Sequence, residues 1–465
     1  MYRKTIDSFI DSHQEEMLED LKTLVRIDSR RGKAEEGKPF GEGPAKVLQA
    51  AEELMSAYGL KTKNYDNYVV TGDFNEEERG LDVLAHLDVV PVTPDWTVTD
   101  PFDPLVKDGK IYGRGTADDK GPAIAALYAL RAIRESQIPL KKNVRLILGS
   151  DEECGSADLE YYYGIEKEAP MTFTPDAEFP VINIEKGRLA KSFCASFQEE
   201  QVLPEVVELH GGDKVNVVPA SAWALVKGLE EETVKAAAEA EGCGIHFKVE
   251  KADGGIRITA KGMAAHASTP EGGKNAVCGL LELLGKLPLS ETEKTNTLRG
   301  LAKLFPMKDT GGEALGIAME DEESGSLTMN LGLLNLEENR LTGTFDSRVP
   351  VCGNDENVTK VVAEKLEGIG CTMEEGGMTS VHYVPGDSVL VKNLLASYET
   401  YTGIKGVPQA MGGGTYVHDL KNGVAFGCMD PAVDNHMHGD DEFMLIDVLL
   451  MSAKIFADAI IRLCG

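Results

Sequence analysis

The chain has 465 residues, 77 of them acidic and 47 basic, for a formal net charge of −30 at pH 7. Such a length exceeds one ordinary hydrophobic core, so two domains are expected, and 42 % hydrophobic with 27 % charged residues describes a soluble globular protein. The acidic balance argues against nucleic acid or an anionic membrane as partner, because either calls for clustered lysine and arginine.

The opening residues, Met1-Tyr2-Arg3-Lys4-Thr5-Ile6-Asp7, lack the apolar core of a signal peptide. No later run is long enough to span a bilayer, and the expectation is a cytoplasmic protein. Apolar spacing predicts two opening helices, over residues 6–27 and 45–58. Strand-like runs at 68–71, 81–87, 144–148 and 181–184 alternate with helical stretches such as 123–130, the pattern of an α/β sheet covered on both faces. In such a sheet, catalytic residues lie in loops at strand C-terminal ends. Beyond Gly187 the texture changes to shorter strands (190–197, 256–260, 341–345) among helices at 231–240, 275–287 and 356–366, which reads as a separate α+β domain. A core-type segment returns at 389–401, and a final helix covers 445–463. The second domain is therefore expected as an insert, 187–384, into a first domain formed by 1–186 and 385–465. The eight cysteines (154, 194, 243, 278, 352, 371, 428 and 464) show no close pairs or metal-finger spacing, and reduced thiols are expected.

Three segments carry the candidate chemistry. His86-Leu87-Asp88 closes a strand, and alternation puts His86 and Asp88 on one face. Gly113-Arg114-Gly115-Thr116-Ala117-Asp118-Asp119-Lys120-Gly121 sets a carboxylate in a tight turn before a helix. Asp151-Glu152-Glu153 ends another strand, and neighbouring acids repel unless a cation or proton separates their roles. One can bind metal while the other moves protons.

In order and spacing these segments, with Trp96, Asp100-Pro101-Phe102 and Asp176, resemble the dinuclear zinc exopeptidases and deacylases, the family of carboxypeptidase G, aminoacylase and the bacterial dipeptidases, most of all the dipeptidase V type. The resemblance implies a metallo-exopeptidase domain with a mixed sheet covered by helices, plus an inserted α+β lid. It implies two divalent ions, zinc first, with manganese or cobalt as substitutes. One would be held by His86, Asp118 and Asp176, the other by Asp118, Glu153 and His438, and a water would bridge the two. Glu178 competes with Asp176, and His436 with His438. Asp441 stands where the family usually has Asn. Glu152 matches the general base, Asp88 the carboxylate that orients the His86 ring, and His266 in Gly262-Met263-Ala264-Ala265-His266 the oxyanion donor. Asn216, Arg348, Gly413 and Gly414 match substrate contacts, with Arg348 gripping a free carboxylate.

The function implied is hydrolysis of small unblocked dipeptides. An N-acyl amino acid deacylase would share the same metals and base. A non-catalytic metal-stabilised peptide binder would have no need of Glu152. In dimeric relatives the lid histidine comes from the partner, whereas the enlarged lid of the dipeptidase V type supplies it within the chain; an insert of this size resembles the second arrangement, and the resemblance implies a monomer.

Overall fold

The computed structural model describes residues 2–199, 202–240, 242 and 244–465, and Cys243 lies outside them. The chain divides into two compact units. One comprises Met1–Ile184, His382–Gln409 and Gly414–Gly465, the other Glu185–Val381 with Ala410–Gly413. The edges thus fall at Glu185 and His382 rather than at 187 and 385, and Ala410–Gly413 goes with the insert.

The first unit is built on a mixed sheet with strand order Lys61–Tyr65, Val69–Asp73, Asn143–Gly149, Arg79–His86, Thr172–Thr174, Gly423–Ala425, Val181–Glu185, His382–Tyr383. Its centre is parallel: Arg79–His86 runs with both Asn143–Gly149 and Thr172–Thr174. Buried on both faces, these strands read as continuous apolar runs. Alternation then divides their side chains. Leu81, Val83, Ala85, Leu146 and Leu148 join the large core with helices Lys120–Glu135 and Ile446–Cys464. Leu84 and Ile147 face a smaller cluster with Leu159, Tyr162, Tyr416 and Val417. Helix Lys120–Glu135 is buried from Lys120 through Ile133, as an alanine-rich helix apolar all round should be.

The predicted opening helix 6–27 is two helices, Tyr2–Ser12 and Gln14–Val25, so three helices open the chain. The break is at His13, whose backbone sits at φ −107°. Its ring stacks on Phe9 at 3.9 Å, and its Nδ1 lies 2.7 Å from the Phe9 carbonyl oxygen. That oxygen is shared between the ring and the His13 N–H, which loosens the helical turn.

The second unit carries an eight-stranded sheet whose pairings are antiparallel throughout, with its own core of Phe193, Leu209, Ile258, Leu280, Leu334 and Phe345 among others. Asn275 caps the helix Ala276–Lys286, accepting the N–H groups of Val277 and Cys278 at 3.0 Å each. In strand Arg340–Val349, Leu341, Phe345 and Val349 enter this core, so Asp346 and Arg348 stand on the opposite face. Among the described residues, no helix is long and apolar enough to cross a membrane, and the seven described cysteines are free.

Candidate active site

Three parallel strands of the first unit end side by side. His86 is the last residue of its strand, Glu152 and Glu153 form the turn after Gly149, and Asp176 follows Thr174. Asp118 arrives from the loop before helix Lys120–Glu135, and His438 from the loop before strand Phe443–Leu445. Asp118 lies between the two imidazoles: its Oδ1 is 2.9 Å from His86 Nε2 and its Oδ2 2.7 Å from His438 Nε2. Asp176 Oδ2 is 3.6 Å from His86 Nε2, and Glu153 Oε1 is 3.3 Å from His438 Nε2. Two groups result, His86 with Asp118 and Asp176, and Asp118 with Glu153 and His438, the ligand atoms of each lying within 4.8 Å of one another. Neither Glu178 nor His436 belongs to them. His436 instead turns its Nδ1 to the carbonyl of Asp440, 3.1 Å away. Asp119 accepts the backbone N–H of His86 at 3.1 Å through Oδ2.

Several of these candidate ligands are held by neighbours. His86 Nδ1 is 3.1 Å from the backbone oxygen of Asp88 and 3.4 Å from that residue's Oδ1. Both are acceptors, so Nδ1 carries a proton; Nε2 donates to the Asp118 carboxylate here, and exchanging that proton for a cation would leave the tautomer a metal ligand requires. The Asp88 carboxylate also accepts the N–H groups of Glu152 and Glu153, at 3.2 and 3.1 Å, and so fixes the turn bearing both acids. Asp158 accepts the N–H groups of Ser150 and Asp151, at 2.6 and 3.0 Å, and takes the Tyr416 hydroxyl. A side chain at Gly149 would strike both Tyr416 Oη and Asp158 Oδ2. The Tyr416 ring meets His86 edge-on at 6.0 Å. Around His438, the backbone is left-handed at His436, His438 and Asp441 (φ 59°, 62° and 57°), a concentration of strain typical of functional loops. Asp441 accepts the Thr97 N–H at 2.8 Å, the Thr97 hydroxyl at 2.6 Å and the Val98 N–H at 2.9 Å. An acceptor-only carboxylate suits three donors, which explains Asp in place of Asn. Sequence reasoning gave Asp158 and Tyr416 no role, and met Glu442 only as the glutamate four positions after His438 in the family motif that supports that ligand. Gly149, glycine at the end of a buried strand, was the one local sign that something large approaches there.

The charge distribution calls for cations. Burial and the carboxylates of Asp118 and Glu153 push Asp176 up to about 7, against the pull of both histidines. Glu152 is raised well above the usual carboxylate range by burial and by Asp176, Glu153 and Asp118. The carboxylates of Asp118 and then Glu153 lift His438 to about 10. Glu153 Oε1 is buried and, although His438 Nε2 is 3.3 Å away, has no aligned hydrogen-bond donor. Carboxylates packed this densely about two imidazoles fit a pair of divalent cations, which would neutralise the repulsion and occupy the orphaned oxygen.

The remaining predicted residues belong to the second unit, apart from Gly414. Ala267 N–H donates to the Asn216 carbonyl at 2.9 Å, and Val217 bridges to His266, so Asn216 and His266 lie on adjacent segments. The N–H of Ser268, which can only donate, is 3.2 Å from His266 Nδ1, and its hydroxyl 2.6 Å. Nδ1 is therefore an acceptor, and the neutral ring carries its proton on Nε2. Arg348 grips Asp346 through Nε at 2.7 Å and Nη2 at 3.1 Å, and donates through Nη1 to the Gly412 carbonyl. Arg188, its cross-strand partner, donates to the same Asp346 through Nη2 at 2.7 Å. Gly412 fits against Ser268, where an added Cβ would come within 2.7 Å of the serine Cβ, and at Gly413 it would come within 2.7 Å of Met411 Cε.

A family model described as Peptidase family M20/M25/M40 matches residues 83–462, and the chain belongs to this family of peptidases. It is 35 % identical over 458 residues to the putative dipeptidase YtjP of Bacillus subtilis (strain 168), with 97 % of each chain covered. It is 33 % identical over 467 residues to the Beta-Ala-Xaa dipeptidase of Lactobacillus delbrueckii subsp. lactis, again over 97 % of each. Among solved structures, human carnosine dipeptidase 1 superposes with a TM-score of 0.60 at 16 % identity, covering 100 % of this chain and 99 % of the other. The aminoacylhistidine dipeptidase from Vibrio alginolyticus does so with 0.57 at 15 %, covering 97 and 96 %. At these identities the two structures establish the fold.

Proposed function

We propose that this protein is a metal-dependent dipeptidase that hydrolyses small unblocked dipeptides, acting as a cytoplasmic monomer. The observation that carries the reading is Asp118, one oxygen toward each of two histidines, with Glu152 next to the ligand Glu153. The full-length relatives named dipeptidases support the substrate class. Free cysteines fit a reducing compartment.

His86, Asp118 and Asp176 would hold one cation, and Asp118, Glu153 and His438 the other. Mixed imidazole and carboxylate ligands favour zinc and accept manganese or cobalt. Bound there, the pair supplies Lewis acidity: it lowers the pKa of a water and polarises the scissile carbonyl. Glu152 takes the proton from the attacking water on a carboxylate oxygen and later delivers it to the nitrogen of the breaking C–N bond. Asp88 keeps the His86 ring turned and holds Glu152 in place through its backbone. His266 offers Nε2–H to the oxyanion of the tetrahedral intermediate. Arg348 takes the terminal carboxylate with the hydrogens that Asp346 and Gly412 leave on its terminal nitrogens, while Asn216, Gly413 and Gly414 contact the peptide backbone.

The test is metal-reconstituted protein offered free dipeptides, tripeptides and N-acetyl amino acids. Dipeptides are expected to turn over with the highest kcat/KM. A preference for the N-acetyl compounds would replace the reading with a deacylase, and no hydrolysis of any of them would leave a binding protein.

A further inference from the structure

Glu442 is fully buried, and its carboxylate is surrounded by donors from the loop that carries Asp118. Oε1 accepts the backbone N–H groups of Gly115, Ala117 and Asp118 at 3.0, 2.8 and 3.3 Å. Oε2 accepts Arg114 Nη1 at 2.5 Å and shares the Gly115 N–H at 3.2 Å. Its backbone carbonyl accepts the Gly113 N–H at 3.0 Å, while Arg114 Nη2 donates to the Gly439 carbonyl at 2.8 Å. Converging backbone N–H groups of this kind make an anion-binding nest. Here the anion is a side chain four residues beyond His438. The nest also needs its glycines: Gly115 has φ 87°, and a Cβ there would come within 2.9 Å of Val89 and 3.0 Å of Lys120.

We propose that Glu442 is a positioning residue for the metal centre, fixing the backbone of Asp118 relative to that of His438 so that both imidazoles meet the two oxygens of one carboxylate. The inference rests on the ligand assignment made above. Asp118 belongs to both ligand groups, so a displacement of its backbone is felt at both. Its own N–H is one of the donors on Glu442, and His438 is tied to the same residue by a short stretch of chain. The ionised carboxylate is needed, not merely its shape. An amide would keep one acceptor oxygen and aim an NH2 at either Arg114 or the backbone donors, and Arg114, 2 % exposed, would lose its charge partner.

The experiment titrates Zn2+ into metal-free wild type and Glu442→Gln against a chromophoric chelator, with no substrate present, and records the melting temperature of each metal-free form. The expected result is zinc affinity weaker by roughly 10- to 100-fold, the effect typical of losing a group that orients metal ligands. In the zinc-loaded enzyme, kcat should fall while KM changes little, because the substrate contacts lie elsewhere. Zinc affinity equal to wild type, with or without a lower melting temperature, would make Glu442 a structural residue and overturn the proposal. Should Glu442→Gln fail to fold, Arg114→Lys removes the guanidinium bridge from Glu442 to Gly439 and leaves the carboxylate, and native zinc affinity in that variant would likewise overturn it. Because affinity is measured without peptide, failure to hydrolyse dipeptides would count against the proposed activity alone.

Discussion

Asp118 offers equal oxygens to two histidines, yet it moves no proton in the proposed reaction; that task falls to Glu152, raised well above the ordinary range by burial and by three neighbouring carboxylates. Replacing Glu152 by alanine removes the base without touching a ligand. We expect kcat to fall by about 10²- to 10⁴-fold, with bound metal, measured by atomic emission, unchanged; near-native turnover would assign the base elsewhere. Arg348 differs in kind, since its fork is already set on Asp346 and Gly412. Arg348→Lys keeps the charge but loses the fork, and KM for a free dipeptide should rise about tenfold or more with kcat less affected. An unchanged KM would remove it from substrate binding. Residues such as His86, Asp118 and Glu153 were legible in the sequence because each ends a strand or opens a helix beside a recognisable motif. Of their supports, Asp88 was legible too, but the contact between Arg114 and Glu442 was not. Arg114 and Glu442 meet across 328 positions, and a pairing so distant leaves no local pattern.

At the scale of elements, the central strand Arg79–His86 serves two ends differently. Its last residue belongs to a proposed ligand group, while Asp82, earlier on the same face, is buried with neither oxygen hydrogen-bonded to a side chain and, among the described residues, Arg79, 3.6 Å away, as its ion-pair partner. Arg145, Asp73, Tyr162 and Tyr163 are the other ionisable groups near it. Burial, against the pull of Arg79 and Arg145, raises its pKa from 3.8 to about 7. The folded state therefore keeps a proton that the unfolded chain has released, and stability drains away as pH rises from about 4 through about 7. Asp82→Asn cannot ionise. Its melting temperature relative to wild type should be higher at pH 8 than at pH 5, and a difference independent of pH would refute this account. The strand itself was predictable from its apolar run. The break at His13 was not, because apolar spacing continues across it while the departure comes from one ring sharing a carbonyl with the backbone.

Over the whole molecule, the change of texture near Gly187 announced a second unit, but not that Ala410–Gly413 would join it, since four residues carry no periodicity of their own. All five predicted metal ligands lie in the first unit. The protein has two tryptophans, Trp96 in the first unit and Trp223 in the second. Zinc stabilises what binds it by mass action. In single-tryptophan variants, zinc should raise the melting temperature reported by Trp96 more than that reported by Trp223, and equal shifts would mean that the units melt together.

The clasp between Glu442 and the Gly113–Asp118 loop sets an order on manufacture. A chain emerging from the ribosome has His86, Asp118, Glu153 and Asp176 early, then the whole of Glu185–Val381, and only afterwards His438 and the carboxylate that receives the Asp118 N–H. Until that late segment arrives, the glycine loop has nothing to close on and the second ligand group lacks its histidine. On the ligand assignment proposed above, a half-made copy would lack the histidine of one cation and could not yet work as a peptidase inside the cell that is building it.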